Sequence, residues 1–170
     1  MAWMLALVFA HALFLKLREP TRFRASMAAY GLLPTVLVEP TAVVVMVLEA
    51  AAVFALLLGS NFGAHLAALL LASYALAIAI NVVRGRKHLD CGCGDEPVPV
   101  SWAVVSRNAL LLVIAIYAGA TGPQTTFVTG PWGLAVSLAS AVLGFGIFLI
   151  VEQLLANHGR YHRLWLGVGS

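Results

Sequence analysis

Five stretches of the 170-residue chain run almost without charge: residues 3–17, 41–58, 64–83, 102–119 and 132–155. Crossing the roughly 30 Å hydrocarbon core of a bilayer takes about 17 to 25 mainly apolar residues in a helix. The first stretch is short by that rule and the other four meet it. In lipid, every backbone N–H and C=O must be satisfied within the protein, so apolar runs of this length read as helices. The expected fold is an all-α integral membrane protein, an antiparallel bundle of about five spans. Composition points the same way. Hydrophobic residues make up 62% of the chain and charged residues 10%, against a usual charged share of about 25%. The mean hydropathy is +0.96. That leaves too little polar surface to cover a globule in water. A soluble domain, a disordered chain, a coiled coil, a collagen and a disulfide-stapled secreted module are all excluded on these numbers. The net charge of +3 does not indicate nucleic acid, because the cations flank apolar spans and form no basic stripe interleaved with aromatics.

Those cations bear on topology. The connection at 18–40 carries Arg18, Arg22 and Arg24, and that at 84–101 carries Arg84, Arg86 and Lys87. The connections at 59–63 and 120–131 hold no Lys or Arg, and a short basic tail after the fifth span carries Arg160 and Arg163. The positive-inside rule therefore expects a multi-pass membrane protein with its N-terminus outside and the 84–101 loop in the cytoplasm. The first span reads as retained, because its basic residues follow the apolar run, whereas a signal peptide has them before it. Parity adds a second expectation. In an antiparallel bundle Lys16, Asn81, Arg84, Arg107, Asn108 and Glu152 all fall toward the membrane face that bears the 84–101 loop.

That loop holds both cysteines, in Asp90-Cys91-Gly92-Cys93-Gly94. One intervening residue is too few for the usual disulfide between separate elements, but Gly92 supplies the freedom to close a small, strained ring. Strained disulfides are labile and oxidising. Cations upstream favour the thiolate, while Asp90, Asp95 and Glu96 oppose it. The residues leave three readings open: a redox pair at Cys91 and Cys93, a soft two-thiolate clamp for Cu(I), Zn(II) or Hg(II) with His88 or Asp90 as further ligands, and two inert thiols.

Ionisable groups inside spans cost several kcal/mol and are functional candidates by default. Glu49 lies in the second span with no charged neighbour in its own helix, so it is expected to be protonated or paired across the bundle with Lys16, Asn81 or Arg107. Lys16 and Arg107 lie close enough to the span ends to snorkel, the latter toward the thiols. His11 can carry protons or simply make one structural hydrogen bond. Asn81 and Asn108 can join helices through amide hydrogen bonds.

Taken in order, Phe14-Leu-Lys16-Leu-Arg18, Tyr30-Gly-Leu-Leu-Pro34, Glu49, Asn81-Val-Val-Arg84-Gly-Arg86, Asp90-Cys-Gly-Cys93-Gly, Ser101-Trp102 and Arg107-Asn108-Ala-Leu-Leu resemble the methylamine-utilisation membrane protein family, MauE-like, within the DoxX-like group. The resemblance implies a four-helix membrane domain over residues 1–119, with the cysteine loop at 84–100, and leaves a fifth helix and tail at 120–170. It also implies a thiol–disulfide redox protein working with a thioredoxin-like partner, alone or in a larger membrane complex or homo-oligomer. Its role would be the maturation of exported proteins, notably the disulfide-rich small subunit of methylamine dehydrogenase. Cys91 and Cys93 would then be catalytic, with Arg84, Arg86, Arg107, Lys16, Glu49, Asn81, Asn108 and His11 in support, and a quinone is a candidate acceptor. Many relatives carry Cys-Gly-Cys-Phe-Gly, and this chain lacks the Phe. A heavy-metal carrier and a non-catalytic scaffold subunit are the alternatives. Disulfide donation to exported proteins calls for thiols outside, which conflicts with the side that the charges favour.

Overall fold

Residues 1–86, 89–91, 98–121 and 130–167 are described in the computed structural model of the chain. They form six helices: α1 (Ala2–Arg18), α2 (Pro20–Ala29), α3 (Thr35–Leu57), α4 (Asn61–Val83), α5 (Trp102–Ala120) and α6 (Gly130–Gly167). Among the described residues there is no strand, only an isolated antiparallel bridge between Asp90 and Pro99. Four segments are long and apolar enough to cross a membrane: α3, α4, α5 and Trp132–Asn157 of α6. At 17 residues α1 is about 25 Å long, just short of a full crossing, yet it packs into the same bundle.

The expected connection at 18–40 is largely helical. Pro20 opens α2 at a first-turn position, where its missing N–H costs nothing. Pro34, with ψ at 145°, serves as N-cap of α3, which begins six residues before the expected start. Pro40 suggested a boundary, but it lies in the second turn of α3, where it removes a single ladder bond. The basic tail is corrected too: α6 runs on to Gly167 and takes in Arg160 and Arg163.

The inside of the bundle is built from small and branched side chains. Leu5 and Phe9 of α1, Ala52 and Leu56 of α3, Ala67 and Leu71 of α4, and Leu111 and Ala115 of α5 form one buried cluster, with Phe145 and Phe148 of α6 against it. Alanine at these contacts lets helix backbones approach closely, which is how helices associate in lipid. Large apolar residues point outward instead: Phe54, Leu69, Val113 and Val142 are each more than 60% exposed. A second buried cluster, comprising Tyr30, Ile78, Val82, Cys91, Val98, Val100, Val104 and Ala156, closes the end where α4 finishes and α5 begins.

The turn between α3 and α4 is tight. Gly59 takes φ of 70°, a left-handed conformation that only glycine adopts without cost. The Gly59 and Ser60 N–H groups return to the carbonyls of Leu56 and Ala55 at 3.0 and 2.9 Å, the paired bonds of a Schellman ending. The Ser60 hydroxyl then accepts the Phe62 N–H at 3.3 Å and caps α4.

Candidate functional site

The segments on either side of the cysteine motif are tied to each other and to α2. Val100 N–H donates to the Leu89 carbonyl and Cys91 N–H to the Val98 carbonyl, both at 2.9 Å. Asp90 Oδ1 accepts the Val98 N–H at 3.1 Å. Its other oxygen accepts from Arg22 Nη2 at 2.9 Å and Nε at 3.3 Å, a charge-assisted pair reaching across from α2. Burial disfavours the Arg22 charge, but hydrogen bonding and attraction to Asp90, helped by Glu19, outweigh it and raise the guanidinium pKa above its ordinary value. Tyr30, at the end of α2, donates its hydroxyl to the Cys91 carbonyl at 3.2 Å. Cys91 itself is buried. Asp90, expected to act against the thiolate, is therefore the anchor of the cysteine segment. Gly92, Cys93, Gly94, Asp95, Glu96, Lys87 and His88 lie outside the described residues, and with them the proposed ring and the His88 ligand. Among the described residues no three metal-ligating side chains come together.

Asp90→Ala removes both the Arg22 pair and the Val98 acceptor, at a cost of about 1–3 kcal/mol in local order. We expect Cys91 in the reduced protein to be alkylated about tenfold faster by iodoacetamide, since each 1.4 kcal/mol of protection is a factor of ten. Asp90→Asn keeps an acceptor and should show a smaller rise.

Beside Cys91 a cavity of about 290 Å³ opens between α2, α3 and α4. Tyr30 and Phe23 of α2, Val45 of α3, and Ile78 and Tyr74 of α4 line it, and Lys16 of α1 reaches it from below. Tyr74 lies one helical turn before Ile78, so the cavity runs from the cysteine segment into the bundle.

There it meets a buried ion pair. Lys16 Nζ contacts Glu49 Oε1, and Tyr74 donates its hydroxyl to the same oxygen at 2.7 Å. Lys16 and Glu49 are 3% and 0% exposed, and the ammonium sits 4.9 Å from the ring centroids of both Phe23 and Tyr74. Snorkelling is thus the wrong expectation for Lys16: an anion and two aromatic faces hold it inside. Arg107 pairs with Glu152 of α6 at 3.4 Å and lies 5.4 Å from the Phe148 ring centroid, so it is held against α6. A cavity of about 40 Å³ joins the two pairs, lined by Lys16, Glu49, Tyr74, Arg107, Asn108 and Phe148 among others. Glu49 Oε2 and Asn108 Nδ2 are buried with no partner among the described residues, and that space is wide enough for a water.

The remaining expected residues are dispersed. Asn81 is fully buried but donates to the Ala77 carbonyl of its own helix at 3.0 Å, so it does not join two helices through that bond. His11 meets Phe145 edge-on at 5.7 Å. Arg84 and Arg86 are exposed at the end of α4, and Arg86 lies against Gly31, whose φ of 61° and lack of a side chain make room for it. Sequence reasoning overlooked Tyr74 and the anchoring roles of Arg22 and Tyr30. Tyr74 had a usable signal, since it precedes Asn81 by two turns and so shares its helix face.

Residues 1–121 match the family model described as Methylamine utilisation protein MauE. Relatives that carry the name Methylamine utilization protein MauE include one from Methylophilus and two from Paracoccus. The one from Methylophilus methylotrophus is 34% identical over 170 residues, 97% of this chain and 89% of its own length. That from Paracoccus denitrificans is 34% identical over 154 residues, 82% of this chain and 83% of its own. That from Paracoccus versutus is 35% identical over 150 residues, 86% of this chain and 78% of its own. No solved structure matches the chain.

Proposed function

The chain belongs to the methylamine utilisation protein MauE family, and from that premise we propose that it serves methylamine utilisation as a multi-pass membrane thiol–disulfide protein. Cys91 and Cys93 exchange electrons with a thioredoxin-like partner and so support disulfide formation in an exported client of the methylamine dehydrogenase small-subunit type. The observation that supports this most is the setting of Cys91. Its N–H and C=O are both held, Asp90 beside it is clamped by Arg22, and its side chain borders a cavity leading into the bundle. A sulfur fixed in this way is presented in one orientation, which favours exchange through a mixed disulfide. Since Cys91 is buried, the partner's thiolate joins Cys93, and the Cys91 thiolate is the group released as that mixed disulfide forms and the one able to displace the partner from it. Arg84 and Arg86, exposed at the same end, offer a positive rim to an acidic partner surface.

The test is trapping in cells growing on methylamine. Cys91→Ser should accumulate a covalent adduct of the partner on Cys93, sensitive to reductant, and both Cys91→Ser and Cys93→Ser should abolish growth. Labelling with a membrane-impermeant thiol reagent reads the side, and a role in exported-protein maturation requires reaction from outside. Normal growth of both variants, with no adduct in either, refutes the reading.

A further inference from the structure

We propose that the cavity beside Cys91 binds the ring of a membrane quinone, which accepts the electrons released when the Cys91 and Cys93 thiols join; this rests on the thiol–disulfide reading above. Each disulfide made in a client leaves this protein as a dithiol, and it can act again only if an acceptor removes two electrons and two protons. The balanced step is two thiols plus one quinone giving one disulfide plus one quinol. The S–S bond forms, both S–H protons pass to the ring oxygens, and no further co-reactant is needed.

The acceptor has to reach a thiol that is only 8% exposed, and the cavity defines what can reach it. Its walls are apolar, with Phe23, Met27, Leu33, Val45 and Ile78 among them, which disfavours glutathione or a nicotinamide nucleotide, whose charges would be buried unpaired. At about 290 Å³ it lies at the lower end of small-molecule sites, enough for one substituted ring. Leu32 and Ser73, which also line it, are exposed on the outside of the bundle, so the cavity opens laterally, where a lipid-soluble tail can remain in the membrane.

Its few polar groups lie where a quinone needs them. Tyr30 stands beside Cys91, and one turn deeper are the Tyr74 hydroxyl and the Lys16 ammonium. A cation in a site poor in water stabilises the negative charge that develops on a ring oxygen during reduction, and the Tyr74 hydroxyl, whose proton goes to Glu49, steadies the ion pair that holds this cation. The same pair explains a buried lysine that a purely structural role would leave costly: Glu49 offsets its charge in the resting state, and its ammonium still faces the cavity.

The experiment uses the full chain in lipid nanodiscs, reduced and freed of reductant, without oxygen. Decyl-ubiquinone is the probe, and its ultraviolet absorbance reports quinol formation. Exchange with oxidised glutathione, which begins at Cys93 and does not pass through the cavity, is measured in parallel and reports thiol chemistry alone. The wild type should form one quinol per disulfide. Val45→Trp and Ala77→Phe, which fill the cavity from two different helices, should slow quinol formation on the order of tenfold or more while glutathione exchange stays as in the wild type. Two variants guard against misfolding of either, and retained exchange certifies the fold. Wild-type exchange with no quinol formed, or filled variants that reduce quinone at the wild-type rate, overturns the quinone site and leaves the thiol reading standing. A wild type that exchanges with neither overturns both.

Discussion

Lys16→Met should destabilise the protein by about 3–5 kcal/mol, because it leaves the fully buried Glu49 carboxylate without its cation. Tyr74 still donates to Oε1, but one hydroxyl does not neutralise a charge, and Oε2 already lacks a partner among the described residues. The reciprocal Glu49→Leu strands the ammonium among Phe23, Tyr74 and apolar wall, and should cost a similar amount. The double variant Lys16→Met/Glu49→Leu removes both charges at nearly constant volume and should recover to within about 2 kcal/mol of the wild type, as buried pairs replaced together commonly do. Unfolding followed in mixed micelles gives all three values and, from the cycle, the coupling energy. Single variants that each cost under about 1 kcal/mol would show that the pair is solvated and that the charge is not confined.

The second large effect is steric. A methyl group built on Gly63 would lie 2.6 Å from the Leu56 nitrogen and 2.8 Å from the Ala55 carbonyl carbon. Both are backbone atoms, and the paired bonds that end α3 fix them, so no side chain can swing aside. Gly63→Ala forces the turn open and should cost about 1–3 kcal/mol, while Gly63→Val should exceed that and prevent the folded protein from accumulating in membranes. The strain acts on Leu56 and Ala64, which belong to the buried cluster on either side of the turn. Yield and thermal stability of the purified protein measure it. Gly146→Ala, with open space around the added methyl, is the control and should behave as the wild type.

Apolar length alone disclosed α3, α4, α5 and most of α6, because a bilayer imposes a single long period that survives without knowledge of packing. It did not disclose α2. Pro20–Ala29 mixes two arginines, a serine and a threonine with short apolar residues, and takes its partners from elsewhere, Arg22 from Asp90 and Arg24 from Glu39. Partners distant in the chain are invisible to local pattern. The same limit explains the ionisable residues. Parity gathered Lys16, Arg107, Asn108 and Glu152 at one end, but which cation takes which anion depends on helix rotation, and a sequence with no alignment carries no trace of that. Lys16 lies within reach of the interface, so snorkelling was the cheaper reading for it. Only the location of Glu49 on a facing helix reverses it.

The bond between α1 and α3 also bears on how the chain is made. Residues 2–18 leave the ribosome before α3, carry a lysine near their end and are about one turn short of a comfortable crossing. Their compensating anion is 33 positions downstream. Until that anion has been synthesised, the first segment has little reason to settle in the membrane, and the two are best inserted as a couple. Biogenesis of this protein therefore has a built-in order, in which the nascent α1 waits for the helix that discharges it.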